Sequence, residues 1–203
     1  MITVICLLLS LTACGAGSGT DSNTEPSLAQ PQAETPSTEA SAEPTEEAIK
    51  TLVVYFSATG NTKSVAEEIV RLTGADLYEI VPADPYTDED LNYNNNDCRA
   101  NQEMNDASAR PAIGSEAIDI SSYDTVFVGY PIWWYTAPRI INTFVESYDV
   151  AGKTLIPFAT SGGSGIGRTV EQLKKLCPNA NWKAGKIING LSDQEFADWA
   201  NAF

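Results

Sequence analysis

The sequence predicts an α/β domain over residues 49–203, a five-stranded parallel sheet with helices on both faces. Three observations predict it. First, uninterrupted apolar runs at 51–56 (TLVVYF), 124–131 (DTVFVGYP) and 154–160 (TLIPFAT) have the composition of strands buried on both faces. Second, the stretches between them carry apolar residues at helical spacing. Third, loops of small, aromatic or glycine residues follow these strands, and in such sheets ligands bind beyond the carboxyl ends of the strands.

The elements follow in order. Residues 61–72 place Val65, Ile69 and Leu72 on one side and Lys63, Glu67 and Arg71 on the other, which reads as an amphipathic helix. ADLYEIVP at 75–82 alternates, as a strand nearer a sheet edge does. The passage 83–122 is polar, with a helix expected around 88–107 and an extended piece near Ala112. Helices are expected at 137–147 and 166–176. A single last strand is expected within 182–189, and SDQEFADWANAF closes the chain as a short amphipathic helix.

Composition closes off much chemistry. The chain has 203 residues, a formal net charge of -15 and no histidine. Without histidine there is no Ser-His-Asp or Cys-His catalysis and no His-ligated metal. The acidic balance argues against nucleic acid as a partner, since that needs a basic face. Of four cysteines, Cys98 and Cys177 fall in the domain, far apart and outside any CxxC spacing. They are two free thiols or one disulfide, with no metal site expected.

The first 14 residues, MITVICLLLSLTAC, are apolar but too few to span a bilayer as a helix. They read as a secretory leader. LTAC followed by Gly15 resembles the bacterial lipobox, and by that resemblance Cys14 becomes the lipidated first residue of the mature protein. Residues 15–48 are rich in Ser, Thr, Pro, Ala and Glu and contain no aromatic residue, so they are expected to form a disordered, self-repelling tether. Its reach is on the order of 30 Å from random-coil scaling. Residues 15–50 hold seven acids and one lysine, which leaves -9 for the rest of the chain.

Three loops carry the candidate chemistry. SATGNT, 57–62, surrounds Gly60 with the hydroxyls of Ser57, Thr59 and Thr62 at the start of a helix, an arrangement suited to an anion. It is not a Walker A loop, because Thr62 stands where that pattern needs its second glycine. GYPIWWYTAP, 129–138, offers two tryptophans and two tyrosines, equally suited to core packing and to stacking on a flat ligand. TSGGSGIG, 160–167, offers many backbone donors and acceptors. It is not a dinucleotide fingerprint, since Arg168 occupies the sixth position from Gly163.

Together these loops resemble the flavodoxins, and within them a group with YPIWW and GGSG loops, over roughly residues 50–203. Flavodoxins are themselves an example from which the strand-end rule is drawn, with order 2-1-3-4-5 and FMN at the switch between first and third strands. The resemblance implies a three-layer sandwich of that order with FMN as cofactor. It implies that Ser57, Thr59, Gly60, Asn61 and Thr62 hold the phosphate. Pro131, Ile132, Trp133 and Trp134 would lie beside the isoalloxazine ring, and Ser161, Gly162, Gly163, Ser164 and Gly165 along its other polar edge. No catalytic residue and no metal ligand is implied.

Two functions fit. One is an electron carrier, lipid-anchored on the extracytoplasmic face of the cell membrane, whose acidic surface suits redox proteins with basic docking patches. The other is an NAD(P)H- or quinone-dependent oxidoreductase on the same scaffold, with Tyr130 and Tyr135 the only candidate proton donors. The carrier is favoured, because a tethered extracytoplasmic domain does not reach cytosolic NADPH. A bound flavin without a redox role is the plainest third reading.

Overall fold

The computed structural model describes residues 49–203; the expected leader, Cys14 and the linker lie outside the described residues. Six strands and five helices among the described residues alternate except for the consecutive β5 and β6: β1 (Thr51–Tyr55), α1 (Asn61–Thr73), β2 (Asp76–Glu79), α2 (Arg99–Asn105), β3 (Thr125–Pro131), α3 (Arg139–Ser147), β4 (Thr154–Thr160), α4 (Thr169–Leu176), β5 (Asn181–Trp182), β6 (Lys186–Ile187) and α5 (Asp193–Ala200). The sheet is parallel, in the order β2-β1-β3-β4-β5, with β6 also paired to β4.

Alternation along the central strands divides the core into two layers. Leu52, Val54, Phe56, Val126, Val128 and Leu155 face α3 and α4, packing with Ile140, Ile141, Phe144 and Leu173. Val53, Tyr55, Phe127, Ile156 and Phe158 face the other way, with Ala66 and Ile69 of α1 and, at the layer's edge, Phe196 and Trp199 of α5. Each such side chain contributes about 1.5–3 kcal/mol on burial. Continuous apolar runs are therefore required, since both faces of β1, β3 and β4 are covered.

The single last strand expected at 182–189 is two short ones, and Pro157 explains the break. Leu155 O accepts from Lys183 N (2.9 Å) and Ala159 O from Ile188 N (3.0 Å), so alternate residues of β4 point their backbone toward this edge. Pro157 lies midway between those two and has no N–H to donate, so the ladder opens between β5 and β6. Within 83–122 the expected long helix is also corrected. Turns occupy much of 88–98 and only Arg99–Asn105 is helical. That polar stretch has few apolar residues to bury along a helix face, and its Asn and Asp side chains bond to nearby backbone instead, as Asn95 Oδ1 accepts from Asp97 N (3.0 Å). The extended piece near Ala112 is a short antiparallel pairing of Ile113 with Pro82. Cys98 and Cys177 are free thiols.

Gly129 of β3 is set against Phe158 of β4 in register. A Cβ at Gly129 would lie 2.1 Å from Cζ of Phe158, so the ring occupies the space a side chain would need. Gly129→Ala is expected to lower stability by about 1–3 kcal/mol through overpacking, read as a fall in the urea midpoint. Adding Phe158→Leu should recover part of the loss. An unchanged midpoint in the single variant would contradict this packing.

Candidate functional site

The carboxyl ends of β1, β3 and β4 open onto one cavity of about 940 Å³. Phe56 N still donates to Gly129 O (3.0 Å), so β1 stays within the sheet up to the loop. Ser57 follows, with its Oγ buried and without a hydrogen-bond partner among the described residues. Gly60, at φ +86°, then turns the chain into α1, where it stands as a cap without a side-chain acceptor. A helix start with unsatisfied N–H groups beside a buried, unpartnered hydroxyl suits an anion. Thr59 and Asn61 line the cavity, and Asn61 Nδ2 donates to Thr59 Oγ1 (3.2 Å).

Thr62 has a different place from its neighbours. It is 1 % exposed and its Oγ1 lies 2.8 Å from Thr160 Oγ1, tying the start of α1 to the end of β4. No Lys, Arg, Asp or Glu is among the residues that line the cavity. Lys63, next in the helix, is exposed with its ammonium 3.6 Å from the Glu79 carboxylate. An anion here would be held by dipoles and hydroxyls.

After β3, Pro131 to Tyr135 form the aromatic wall. Trp133 is half-buried, edge-on to Phe56 (5.6 Å between ring centroids) and to Tyr86 (5.3 Å). It thus packs on the core and lines the cavity at once. Trp133 N donates to Thr136 O (2.9 Å) and Thr136 N to Trp133 O (3.0 Å), closing a two-residue turn. Its central residues, Trp134 and Tyr135, have φ of 46° and 65°. This is the type I′ pattern, which normally calls for Asn-Gly. Two aromatic residues there are strained by about 1–3 kcal/mol each. Thr136 Oγ1 bonded to Gln172 Oε1 helps to hold the turn, as does Gly167, where a Cβ would come within 2.9 Å of Tyr135 O.

After β4, Ser161, Gly162, Gly163 and Ser164 line the third side. Asn189, which follows β6, clamps this loop: Ser161 N donates to Asn189 Oδ1 (2.8 Å), and Asn189 Nδ2 donates to Ser161 O (2.7 Å). The passage 83–105 supplies a further wall through Leu91, Tyr93 and Ala100. Behind it Tyr86 bonds to Glu103 and carries the Arg99 guanidinium 4.2 Å over its ring. Burial, and then that carboxylate, push the Tyr86 hydroxyl well above its usual pKa.

Ten of the fourteen residues expected at the site therefore line one cavity. Of the other four, Gly60 shapes the turn into α1, Ser57 is absent from the lining with its hydroxyl buried, Thr62 bonds to Thr160, and Gly165 lies outside the lining. Tyr130, one of the two candidate proton donors, is fully buried in the layer facing α3 and α4 and does not line the cavity. Burial raises its pKa strongly; Tyr135 does line the cavity. Asn189 and Tyr93 were missed. The signal for Asn189 was its Asn-Gly pair just beyond the last strand, and Tyr93 sits in an asparagine-rich stretch that carries no period.

A parallel sheet of order 2-1-3-4-5, with a cavity at the exits of its first, third and fourth strands, defines a flavodoxin-like domain. The chain belongs to the flavodoxin family, whose model matches residues 50–203. It is similar to a flavoprotein from Bacteroides eggerthii DSM 20697 at 53% identity, covering 74% of this chain and 94% of that one, with a TM-score of 0.71. A flavoprotein from Bacteroides uniformis ATCC 8492 is 46% identical, with 74% and 97% covered and a TM-score of 0.71. A flavoprotein from Lactobacillus acidophilus NCFM, in complex with FMN, is 25% identical, with 76% and 100% covered and a TM-score of 0.60. No curated protein matches the chain.

Two stability measurements on the ligand-free protein test this geometry. Replacing Trp134 and Tyr135 by Asn and Gly should raise the unfolding free energy by about 1–2 kcal/mol, because strain is relieved. Ser57→Ala should raise it by up to about 1 kcal/mol, because a buried hydroxyl without a partner is removed. A loss of stability in either variant would contradict the strain or the vacancy of that hydroxyl.

Proposed function

We propose that the chain is an FMN-binding electron-transfer protein, lipid-anchored through Cys14 on the extracytoplasmic face of the cell membrane, that passes electrons between redox partners. FMN is the cofactor of this family fold. The observation that carries the reading is the buried, unpartnered Ser57 hydroxyl beside the uncapped start of α1. Such a hydroxyl costs stability unless a ligand accepts from it. The residues present fit the cofactor: Ser57, Thr59 and Asn61 with the first N–H groups of α1 for the phosphate, Trp133 and Trp134 for the ring, and the loop 161–164 for its polar edge.

The bound flavin supplies one- and two-electron transfer; the protein orients and tunes it. With FMN bound, the aromatic wall would limit water at the ring, and the Gly-rich loop would offer backbone groups to its polar edge. An acidic domain disfavours added negative charge and so lowers the reduction potential. The same acidity, -9 over residues 51–203, draws the domain to basic patches on partner proteins, and salt weakens that attraction.

A second reading, an oxidoreductase acting on a small molecule, is favoured by one observation. The cavity continues past the loops to Leu91, Tyr93 and Ala100, and a protein-to-protein carrier does not need that room.

The test uses the purified full chain. It should show the two-band visible spectrum of oxidised flavin and release FMN on denaturation. It should be reduced by dithionite or a protein donor, and only slowly by NAD(P)H. Ser57→Ala should weaken FMN binding about tenfold or more, the worth of a hydrogen bond to a charged group. Cys14→Ser should move the protein from the membrane fraction to the soluble one. A chain that neither carries nor takes up FMN would overturn the cofactor, and rapid NAD(P)H turnover would overturn the carrier.

A further inference from the structure

The cations of the domain fall into two groups. Lys50, Lys63, Arg71, Arg99 and Arg110 are in ion pairs. Arg139 and Lys153 donate to main-chain carbonyls, Arg139 Nη2 to Met104 O (2.8 Å) and Lys153 Nζ to Tyr123 O (2.7 Å). Arg168, Lys174, Lys175, Lys183 and Lys186 have neither kind of partner among the described residues, and all but the half-buried Lys186 are exposed. They are consecutive among the cations of the chain, with Glu171 the one acid between them, so residues 168–186 carry +4. The rest of 51–203 then carries -13.

The five lie on one flank. Trp182 Nε1 donates to Cys177 O (3.0 Å), which holds β5 against the end of α4. Gly185 fits against the start of that helix: a Cβ there would come within 2.4 Å of Ile166 Cδ1 and 3.0 Å of Val170 Cγ2. The flank is thus α4 together with the edge of the sheet that β5 and β6 share. The helix dipole accounts for Lys174 and Lys175 in the last turn of α4, and protection of a sheet edge for Lys186. From α5, the Glu195 carboxyl is held low chiefly by Ser192 and in small part by Lys186, which lies beyond ion-pair distance. None of this accounts for five unpaired cations side by side in a domain with an excess of acids.

We propose that this flank is a docking surface for the anionic headgroups of the membrane to which the chain is anchored. The choice of lipid rests on the anchor reading given above, since a tether reaching on the order of 30 Å keeps that surface within range. At physiological salt, exposed charges act over about 8 Å, so the flank meets the headgroups while the acidic remainder is screened from them. A basic residue at such a surface is worth about fivefold in binding. The tether adds to this weak contact by raising its effective concentration. Arg168 directly follows the glycine-rich loop, and Lys186 stands three residues before Asn189, which clamps it. Docking therefore turns that side of the cavity toward the lipid. β2 lies at the opposite edge of the sheet, so the acidic remainder stays open to a basic redox partner.

Residues 49–203 hold both core layers and the whole of the family match, so they fold alone and serve for the test. This keeps the apolar leader and Cys14 out of the measurement. Co-sedimentation is measured at about 0.1 M salt with vesicles of phosphatidylglycerol and phosphatidylcholine in equal parts, and with phosphatidylcholine alone. The anionic vesicles should bind the domain at least fivefold more tightly, and about 1 M salt should abolish the difference. Lys174→Gln, Lys175→Gln and Lys183→Gln together should weaken binding at least tenfold. Lys50→Gln, Lys63→Gln and Arg71→Gln together remove the same charge from exposed ion pairs elsewhere, which add little stability, and should change binding less than threefold. Equal binding to neutral vesicles, or an equal loss in both triple variants, would overturn the flank as a lipid-docking surface. Tighter binding to poly-glutamate than to the vesicles at equal charge concentration would assign it to an acidic protein instead. If mass spectrometry of the full chain finds no lipid on Cys14, the anchor reading falls, and vesicle binding by residues 49–203 still decides the flank.

Discussion

The whole site depends on the register in which β3 hydrogen-bonds to β1 on one side and to β4 on the other. Tyr55, the last residue of β1, is level with Gly129, and Gly129 with Phe158; β3 and β4 run on together to the Pro131–Thr160 pair, so the three loops leave the same edge of the sheet. That register holds only because Gly129 leaves room for the Phe158 ring. The Thr62–Thr160 contact then ties the first loop to the third, and Ile132 N to Thr160 O (2.8 Å) ties the second to the third. Parallel pairing, two apolar layers and one narrow glycine position thus fix where an anion, an aromatic ring and a polar edge can be met together.

Charge does little of the recognition, and this shapes what the site can do. A cavity without charged side chains in an acidic domain would hold a phosphate through N–H dipoles and hydroxyls, which are fixed in direction and cost no buried cation. The nearest lysine of the first loop faces Glu79 instead. On the electron-transfer reading proposed above, the same absence of positive charge would disfavour electron addition to the ring. Strain at Trp134 and Tyr135 belongs to the same design: stability is given up where aromatic surface must be presented.

Much of this was legible in the sequence, for identifiable reasons. Strands β1, β3 and β4 are buried on both faces and therefore read as unbroken apolar runs, and the loops after them differ sharply in composition. Thr62 could be placed in the phosphate loop but not assigned its brace, since its partner Thr160 lies 98 residues away. The split between β5 and β6 was hidden because its cause, Pro157, sits in the neighbouring strand. The polar passage 83–122 has no hydrophobic period, being fixed by side-chain-to-backbone bonds and by Trp133 packed on Tyr86. The Asn189-Gly190 pair marks a turn beyond the last strand, but the amide clamp of Asn189 on Ser161 is made to a residue 28 positions earlier in the chain and is not legible locally.

The central claim is that the β1–α1 loop holds the FMN phosphate by dipoles and hydroxyls alone. The most direct test is isothermal titration of the ligand-free chain with FMN and with riboflavin, which lacks the phosphate, at low and high salt. The account predicts that FMN binds at least a hundredfold more tightly than riboflavin, and that this ratio changes little with ionic strength. Equal affinities would show that the loop does not hold the phosphate. A ratio that collapses with salt would show that a cation, rather than the helix start and Ser57, provides the grip.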